Sequence, residues 1–562
     1  MSDDTEHLNS GPPTEVDEAL AISESELAKF YAGQNVLLTG ASDLLGKCLL
    51  EKLLRGCPEL KRVYLIVRAE HDLEAKCNEL YQDHVFDVLR RREPNFTNRI
   101  TPVRGDLRAE KLGLSESDYR LLTESANIIV HNGAARSPEG PVRAALETNV
   151  LGTKRMLELA SACRRLKAFV LVSTAYSHAK TPPCCGGCSF TSSSSGKSTE
   201  SASGPVATAG VSGARLLDET FHDAPVGIQA VEDMLEADAA PSGLTKDALR
   251  MLLGDWPNIY GFSMAVAEEL VRKHAARAGY ACCVFRPSVV ISTYKEPMPG
   301  YCDKKNKAAS IFALIAKGAI HVMRKYDYPC DLVPADMAVN ALLTCVWDAV
   351  DRWQVEPEPA IYNYGTSQDH SINMVQIKEK VMDDPDAFMV SSRWRKPYVL
   401  FVTNMMCYLS LRVILDYIPA LIVDTLLVAH GYPPEAWSLL RKSMSVQCGT
   451  QRLLRGNWRV QSAESSKARQ RLNQRDRKLF FSDQAELDWS EYFLTYWRGL
   501  RIYHLNDDVT DSMCDLQSQS KCPFVRCCPC AKCPCKCKCA CLCILVALAA
   551  AAYYTFGWFF GF

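Results

Sequence analysis

The chain has 562 residues, with 64 Lys and Arg against 65 Asp and Glu, and 25 cysteines. That length accommodates more than one core, and the even charge balance excludes the strongly basic composition that points to a nucleic-acid partner. Ten cysteines crowd into 522–543 and the others are scattered, several inside apolar runs such as Ala281-Cys282-Cys283-Val284, a pattern of reduced core thiols and not of a secreted disulfide framework.

Residues 1–29 begin Met1-Ser2-Asp3-Asp4-Thr5-Glu6, polar and acidic, with Gly11-Pro12-Pro13 following. They read as a disordered segment without a signal pattern, so the folded region is expected in the cytosol. From about 34 to 180, short apolar strands alternate with longer amphipathic stretches. The expected strands are Val36–Thr39, Arg62–Val67, Ile100–Val103, Asn127–His131 and Ala168–Ser173, with Cys282–Phe285 further on; Gly46–Arg55 and Ala144–Cys163 read as helices. This alternation predicts an α/β fold, a Rossmann-like doubly wound parallel sheet. The Gly, Ser and Thr run over 185–214 cannot bury a core and reads as a flexible surface insertion.

Tyr398–His430 is strongly apolar but contains Arg412, Asp416 and Asp424, a charge density that argues against a simple membrane span. A membrane-facing hairpin, a substrate-tunnel wall and a buried helix pair all fit it. Residues 506–540 form a Cys-rich basic linker whose thiols suit acylation better than a structural zinc site, since paired Cys-x-x-Cys ligands separated by a loop are lacking. No metal site is expected. Cys541–Phe562 is uncharged and apolar; as a helix it reaches about 33 Å, enough to cross a bilayer, so it reads as a C-terminal transmembrane anchor. Lys521, Arg526, Lys532, Lys536 and Lys538 before it place the catalytic region on the cytosolic side.

Two segments carry chemistry. Thr39-Gly40-Ala41-Ser42-Asp43-Leu44-Leu45-Gly46 follows a strand and opens a helix, where backbone N–H groups and a helix N-terminus meet a dinucleotide pyrophosphate. Asp43 occupies the place of the middle glycine and sets a carboxylate where a phosphate is expected. Arg68 at the end of the second strand favours the 2′-phosphate of NADPH over the bare ribose of NADH, unless it is an ordinary surface charge. Asp106 and Leu107 after the third strand, and Asn132 and Ala134 after the fourth, would flank the cofactor. Ser173 and Thr174 end the fifth strand, where a hydroxyl points into the ligand crevice or caps a turn. Tyr260 begins the pattern Tyr-Gly-Phe-Ser-Met, in which Met264 stands where a Tyr-x-x-x-Lys dehydrogenase has its lysine. Four residues along a helix puts both on one face, so a lysine there would supply the positive charge that makes a phenol a useful acid; a methionine does not. An ordinary amphipathic helix with a buried Tyr and Met fits the spacing equally well. Pro287, Ser288 and Val289, within Arg286–Thr293, would line the nicotinamide and substrate end.

Longer runs make a more specific pattern. Phe30-Tyr31-Ala32-Gly33, Leu50–Arg55, Val172-Ser173-Thr174-Ala175-Tyr176, Pro257-Asn258-Ile259-Tyr260, Arg286–Pro297 and Asp331–Met337 together resemble the alcohol-forming fatty acyl-CoA reductases, the male-sterility type of extended short-chain dehydrogenase. The resemblance covers about 28–505. It implies an NADP-binding reductase domain over 30–394 and a smaller C-terminal helical domain over 395–505. It also implies NADPH-dependent reduction of long-chain fatty acyl-CoA to a primary alcohol, with Ser173 or Thr174 orienting the carbonyl and Tyr260 donating the proton. An endoplasmic reticulum or peroxisomal membrane location is expected with it. The family's turn glycine is Asp43 here and its catalytic lysine is Met264, so a catalytically impaired lipid- or NADP-binding protein is the rival reading. Acyl length and oligomeric state are left open.

Overall fold

The structure is a computed structural model; it describes residues 22–137, 141–180, 214–239, 246–368, 370–382, 398–454 and 456–507. The serine-rich insertion, the cysteine run and the expected transmembrane anchor at 541–562 lie outside the described residues. Among the described residues, thirteen strands occur in chain order: β1 (Asn35–Thr39), β2 (Arg62–Val67), β3 (Ile100–Arg104), β4 (Ile128–His131), β5 (Ala168–Val172), β6 (Arg215–Leu217), β7 (Ala281–Pro287), β8 (Val289–Ile291), β9 (Val322–Arg324), β10 (Leu332–Pro334), β11 (Ala360–Tyr364), β12 (Leu400–Val402) and β13 (Trp458–Val460). Seven of them form one sheet in the order β11-β7-β5-β4-β1-β2-β3, with every pair parallel. The other six make three two-stranded parallel pairs: β8 with β10, β9 with β12, and β6 with β13.

This is the doubly wound arrangement expected from the strand and helix alternation. Side chains alternate across the pleat, so Val36 and Leu38 enter one core while Leu37 enters the other; Ile128 and Val130 part from Ile129 in the same way. Strand order reverses between β1 and β4, and ligands of such sheets bind at the carboxyl ends of the strands beside that reversal. The helix expected over Ala144–Cys163 is three pieces: Val142–Ala145, a π-turn at Leu146–Leu151, and Gly152–Ala162. Single π-turns of this kind bulge a helix toward a site.

The Leu44–Gly56 helix explains why two of the sequence runs belong together. It buries Lys47, Glu51 and Lys52. Lys52 reaches Glu296 at 2.6 Å, Arg55 reaches Glu51 at 2.7 Å and Glu296 at 2.9 Å, and Lys47 pairs with Asp303. The loop carrying Glu296 is held by Asp336, a buried carboxylate that accepts the N–H groups of Tyr294, Lys295 and Glu296 at 2.8, 2.7 and 3.0 Å.

By contacts the chain forms two compact units. One takes 1–423 and 435–508; the other takes 424–434 and 509–562, and its described part is the end of the Ile418–Ala429 helix and a turn at Gly431. Within the first unit, the apolar stretch from 398 is organised inside out. Helix Met405–Arg412, the π-turn Val413–Tyr417 and the start of Ile418–Ala429 follow one another directly. Arg412 and Asp416 face inward, Asp416 lying 3.2 Å from His321, which is itself fully buried. Met406 (69 % exposed), Leu409, Val413 and Leu421 (61 %) face outward. A buried helix pair is therefore not what 405–421 forms. No described helix is long and apolar enough to cross a membrane.

The Asp336 carboxylate holds three backbone donors that have no other acceptor in that loop. Replacing Asp336 by Ala is expected to cost about 2–4 kcal/mol, since buried donors lose a charged acceptor. The midpoint of urea unfolding measures it, and an unchanged midpoint would show the loop to be held elsewhere.

Candidate functional site

The site grows from the turn after β1. Gly40 has φ +71°, a left-handed conformation, and a Cβ there would lie 2.7 Å from the Asn132 backbone; a Cβ at Gly46 would lie 2.1 Å from the Gly40 carbonyl. Both glycines are required by close approach. Position 43 is different. Asp43 has φ −100° and ψ 172°, an extended conformation open to any residue, so only space and charge distinguish an aspartate from a glycine there. Its carboxylate N-caps the Leu44–Gly56 helix by accepting the Gly46 N–H at 2.8 Å. It also accepts the Asn132 side-chain amide at 3.1 Å. Its charge is met by the Arg136 guanidinium. The carboxylate that the sequence sets against a phosphate is thus already neutralised.

Among the described residues, the N–H groups of Leu44 and Leu45 meet no acceptor, as expected of the first turn of a helix. They and the helix N-terminus make a cradle for an anionic group. Thr39 and His131 tie the ends of β1 and β4 beneath it. Thr153 Oγ1 donates to the Asn149 carbonyl at 2.7 Å, so His131 Nε2–H donates to Thr153 at 3.1 Å; Nδ1 then accepts from Thr39 at 2.8 Å, and the Thr39 oxygen accepts the Gly133 N–H at 2.9 Å. Burial lowers the His131 pKa to about 3, which keeps the ring neutral in this chain of bonds.

At the carboxyl end of β2, Arg68 is exposed. It lies close enough to Asp106, after β3, to favour its charged form. Arg108 pairs with Asp106 at 2.8 Å, and Arg104 donates to the carbonyls of Ala69 and His71. Leu107 packs under Gly133, where a Cβ would come within 2.7 Å of its methyl. Ser42 is exposed at the outer side of the turn, and Ala134 packs against the second core.

Tyr260 stands in the first turn of the Ile259–Ala275 helix, N-capped by Asn258. A Cβ at Gly261 would lie 3.1 Å from the Tyr176 carbonyl, so the turn after β5 packs directly on the start of this helix. Asn149, on the π-turn, binds both sides of the site: its Oδ1 accepts the Ala135 N–H at 2.7 Å and its amide donates to Ser263 at 2.8 Å. It locks the loop after β4 to the helix of Tyr260. That loop carries Arg136, which donates to the Asn132 carbonyl at 2.9 Å and to its side-chain oxygen at 2.6 Å, and whose charge lies near enough to the Tyr260 phenol to favour its ionised form. Burial raises the Tyr260 phenol above its ordinary value; Arg136 opposes this, while Asp43 and Glu268 add to it. Met264 is buried in the second core.

The two hydroxyls after β5 divide. Ser173 donates to Glu268, and Thr174 accepts the Tyr176 N–H at 3.3 Å, which leaves its own proton available. Glu268 belongs to a buried cluster that sequence reasoning missed. Arg286 grips it with two bonds of 3.1 and 2.6 Å, and His178 lies 3.3 Å away. Arg286 also donates to the carbonyls of Asp218 and Thr220. Despite burial, Arg286 and His178 lower the Glu268 pKa to about 2. Of the run expected to line the substrate end, Pro287 closes β7, the Ser288 hydroxyl is spent on Asp331 at 2.8 Å, and Val289 begins β8.

The family model described as "Male sterility protein" matches residues 38–342, and a second model of the same description matches 415–507. Among curated proteins, the chain is 29 % identical over 488 residues to a protein named fatty acyl-CoA reductase 1 from Rattus norvegicus, covering 86 % of this chain and 87 % of that one. It is likewise 29 % identical over 493 residues to a protein named fatty acyl-CoA reductase wat from Drosophila melanogaster, covering 87 % of each. Among solved structures, the terminal R domain of the myxalamid pathway aligns with TM-score 0.52 and 20 % identity over 84 % of this chain and 92 % of that one, a likeness of fold.

The Glu268 carboxylate holds stability above the ordinary carboxylate range, lost as the pH falls from about 4.5 through about 2. Replacing Glu268 by Gln strands the buried Arg286 charge and is expected to cost about 3–5 kcal/mol at neutral pH. The variant should also lose part of the acid limb of the stability profile; thermal unfolding from pH 7 to 3 measures both.

Proposed function

The chain belongs to the male sterility protein family, and from that premise we propose that it reduces long-chain fatty acyl-CoA to a primary alcohol, with NADPH as reductant. The observation that carries this reading is the joining of Tyr260 to the glycine turn through Arg136 and Asp43, which sets a proton donor beside the cradle for a dinucleotide. The relatives named fatty acyl-CoA reductase, aligned over 86–87 % of this chain, support the substrate class.

The residues present fit a nicotinamide dinucleotide. Gly40 and Gly46 allow the close backbone approach, Leu44 and Leu45 offer free N–H donors, and Arg136 cancels the carboxylate of Asp43. Arg68, with Arg104 and Arg108 near it at the ends of β2 and β3, suits a 2′-phosphate. The bound cofactor supplies hydride to the carbonyl carbon. Thr174 orients the carbonyl oxygen by hydrogen bonding, and Tyr260 delivers its hydroxyl proton to that oxygen as the carbonyl pair becomes a lone pair. The thioester would take one hydride and one proton to a thiohemiacetal, which expels the CoA thiol to give an aldehyde; after exchange for a second NADPH and reprotonation of Tyr260, the aldehyde would take a second hydride and proton to give the alcohol.

The rival reading keeps cofactor and lipid binding but not turnover. Met264, buried among apolar side chains, favours it. Incubating the purified protein with NADPH and a long-chain acyl-CoA separates the two: alcohol product supports the reductase, and NADPH binding without aldehyde or alcohol supports the rival. Replacing Arg68 by Ala should weaken NADPH about tenfold to a hundredfold, the equivalent of one charged hydrogen bond, while NADH changes little. Equal effects on the two would remove Arg68 from the phosphate.

The working place is proposed to be the cytosolic side of an endoplasmic reticulum or peroxisomal membrane. The outward apolar face of Met406, Leu409, Val413 and Leu421 supports lipid contact, because an apolar helix face opposite buried charges suits a hydrocarbon boundary. With 541–562 removed, vesicle flotation should still be seen and should fall when Leu409 and Val413 become Ser. Flotation unaffected by those changes would exclude that face.

A further inference from the structure

We infer that Arg136 is the cation of this site: held by Asp43 and Asn132 against the Tyr260 hydroxyl, it does what a lysine at position 264 would do, so the two departures at Asp43 and Met264 are halves of one exchange. The inference rests on the reading of Tyr260 as the proton donor of a reductase.

A Tyr-x-x-x-Lys helix delivers its charge from four residues along, and the methionine at 264 supplies none here. Met264 is 1 % exposed within the second core. The guanidinium reaches the same phenol from another element. Its planar fork offers five donors. Two bonds run to the Asn132 carbonyl and side-chain oxygen, at 2.9 and 2.6 Å, and an ion pair joins it to Asp43, while its charge acts on the Tyr260 phenol. Asn132 is itself fixed, since its amide donates to the Gly40 carbonyl at 3.0 Å and to Asp43 at 3.1 Å. Asn149 pins the neighbouring Ala135 N–H and the Tyr260 helix together. The arginine is thus gripped from the turn by Asp43 and from its own loop by Asn132.

The charges around the phenol agree. Three ionised groups act on Tyr260: Arg136 from the loop after β4, Asp43 from the turn after β1, and Glu268 two turns along its own helix. Arg136 favours the phenolate; Asp43 and Glu268 oppose it, and Glu268 is paired with Arg286. With glycine at 43, nothing would tether the guanidinium there. With lysine at 264, two cations would crowd one phenol. Each departure makes sense only with the other, and Asp43 costs the cofactor little because its charge is consumed by Arg136.

The test compares wild type, Arg136→Met, Arg136→Lys, Arg136→Met with Met264→Lys, and Asp43→Asn, each confirmed folded by circular dichroism. A fluorinated tyrosine placed at 260, with a more acidic phenol, is titrated by fluorine NMR in the protein without cofactor or substrate. Arg136→Met should weaken phenol ionisation by about tenfold or more, one pKa unit upward. Arg136→Lys should keep most of the wild-type ionisation, Asp43→Asn should fall between, and Met264→Lys should restore what Arg136→Met loses. Alcohol formation should follow the same order, with kcat falling about 10²–10⁴-fold in Arg136→Met and its pH optimum moving upward. A phenol that titrates alike in wild type and Arg136→Met would overturn the inference, as would Arg136→Lys behaving like Arg136→Met. Because the titration needs no turnover, wild type that makes no alcohol while its phenol responds to Arg136 would defeat the reductase reading alone. Alcohol from wild type with an unresponsive phenol would defeat only the role of Arg136.

Discussion

Everything at this site depends on one close approach of main chains. Gly40 turns through a left-handed conformation against the backbone of Asn132, and Gly46 packs on the Gly40 carbonyl with no room for a Cβ. That contact joins the ends of β1 and β4 at the place where the strand order reverses. It brings the turn that can hold a phosphate and the loop that carries Arg136 within reach of each other. The Thr39–His131–Thr153 chain, fully buried and with a neutral ring, then prevents the two strand ends from sliding apart. Position 43 lies outside this constraint, since its backbone is extended, and for that reason it could change its residue without disturbing the turn.

Much of the sheet was legible because its strands are buried on both faces and read as continuous apolar runs. Residues 36–39, 62–67 and 168–172 were placed within a residue or so of their observed ends. The π-turn at Leu146–Leu151 was not legible, since a helical period does not reveal one extra residue in a turn. The partners at the site escaped for a different reason. Asp43 and Arg136 are 93 residues apart and Ser173 and Glu268 are 95 apart, so no local spacing joins them. Reading Tyr260 and Met264 along one helix marked the missing lysine and could not bring Arg136, 124 residues before Tyr260 in the chain, into view. Glu268 carried no signal in the sequence, and Arg286 was read as part of the run lining the substrate end; the fold instead buries the two against each other.

The stretch from 398 shows another limit of composition. Arg412 and Asp416 argued against a membrane span when taken as a count of charges. In the fold they face His321 and the interior, and the apolar residues look outward. A charge inside a hydrophobic segment is no obstacle to lipid contact when it points at protein, because only the outward face meets the hydrocarbon. The number of charges was right and the inference from it incomplete, since direction is a property of packing.

The site also shows why the source of a charge matters as much as its presence. A lysine four residues from the tyrosine sits on the same rigid helix, so the phenol keeps its cation whatever the rest of the site does. Arg136 stands on a loop and reaches Tyr260 only through Asp43, Asn132 and the Asn149 clasp. On the inference that Arg136 is the cation of the site, the ionisation of Tyr260 would be tied to the glycine turn after β1. An anion entering the cradle would then compete with Asp43 and Asn132 for the guanidinium, and anion binding would be coupled to the acidity of Tyr260 in a way that a local lysine would not couple them. The sign of that coupling follows from geometry: a phosphate that draws Arg136 away raises the phenol pKa, and one that is held by the Leu44 and Leu45 N–H groups leaves the arginine where it is. The free N–H groups at the helix start favour the second outcome, because they offer the anion donors that need not be taken from Tyr260.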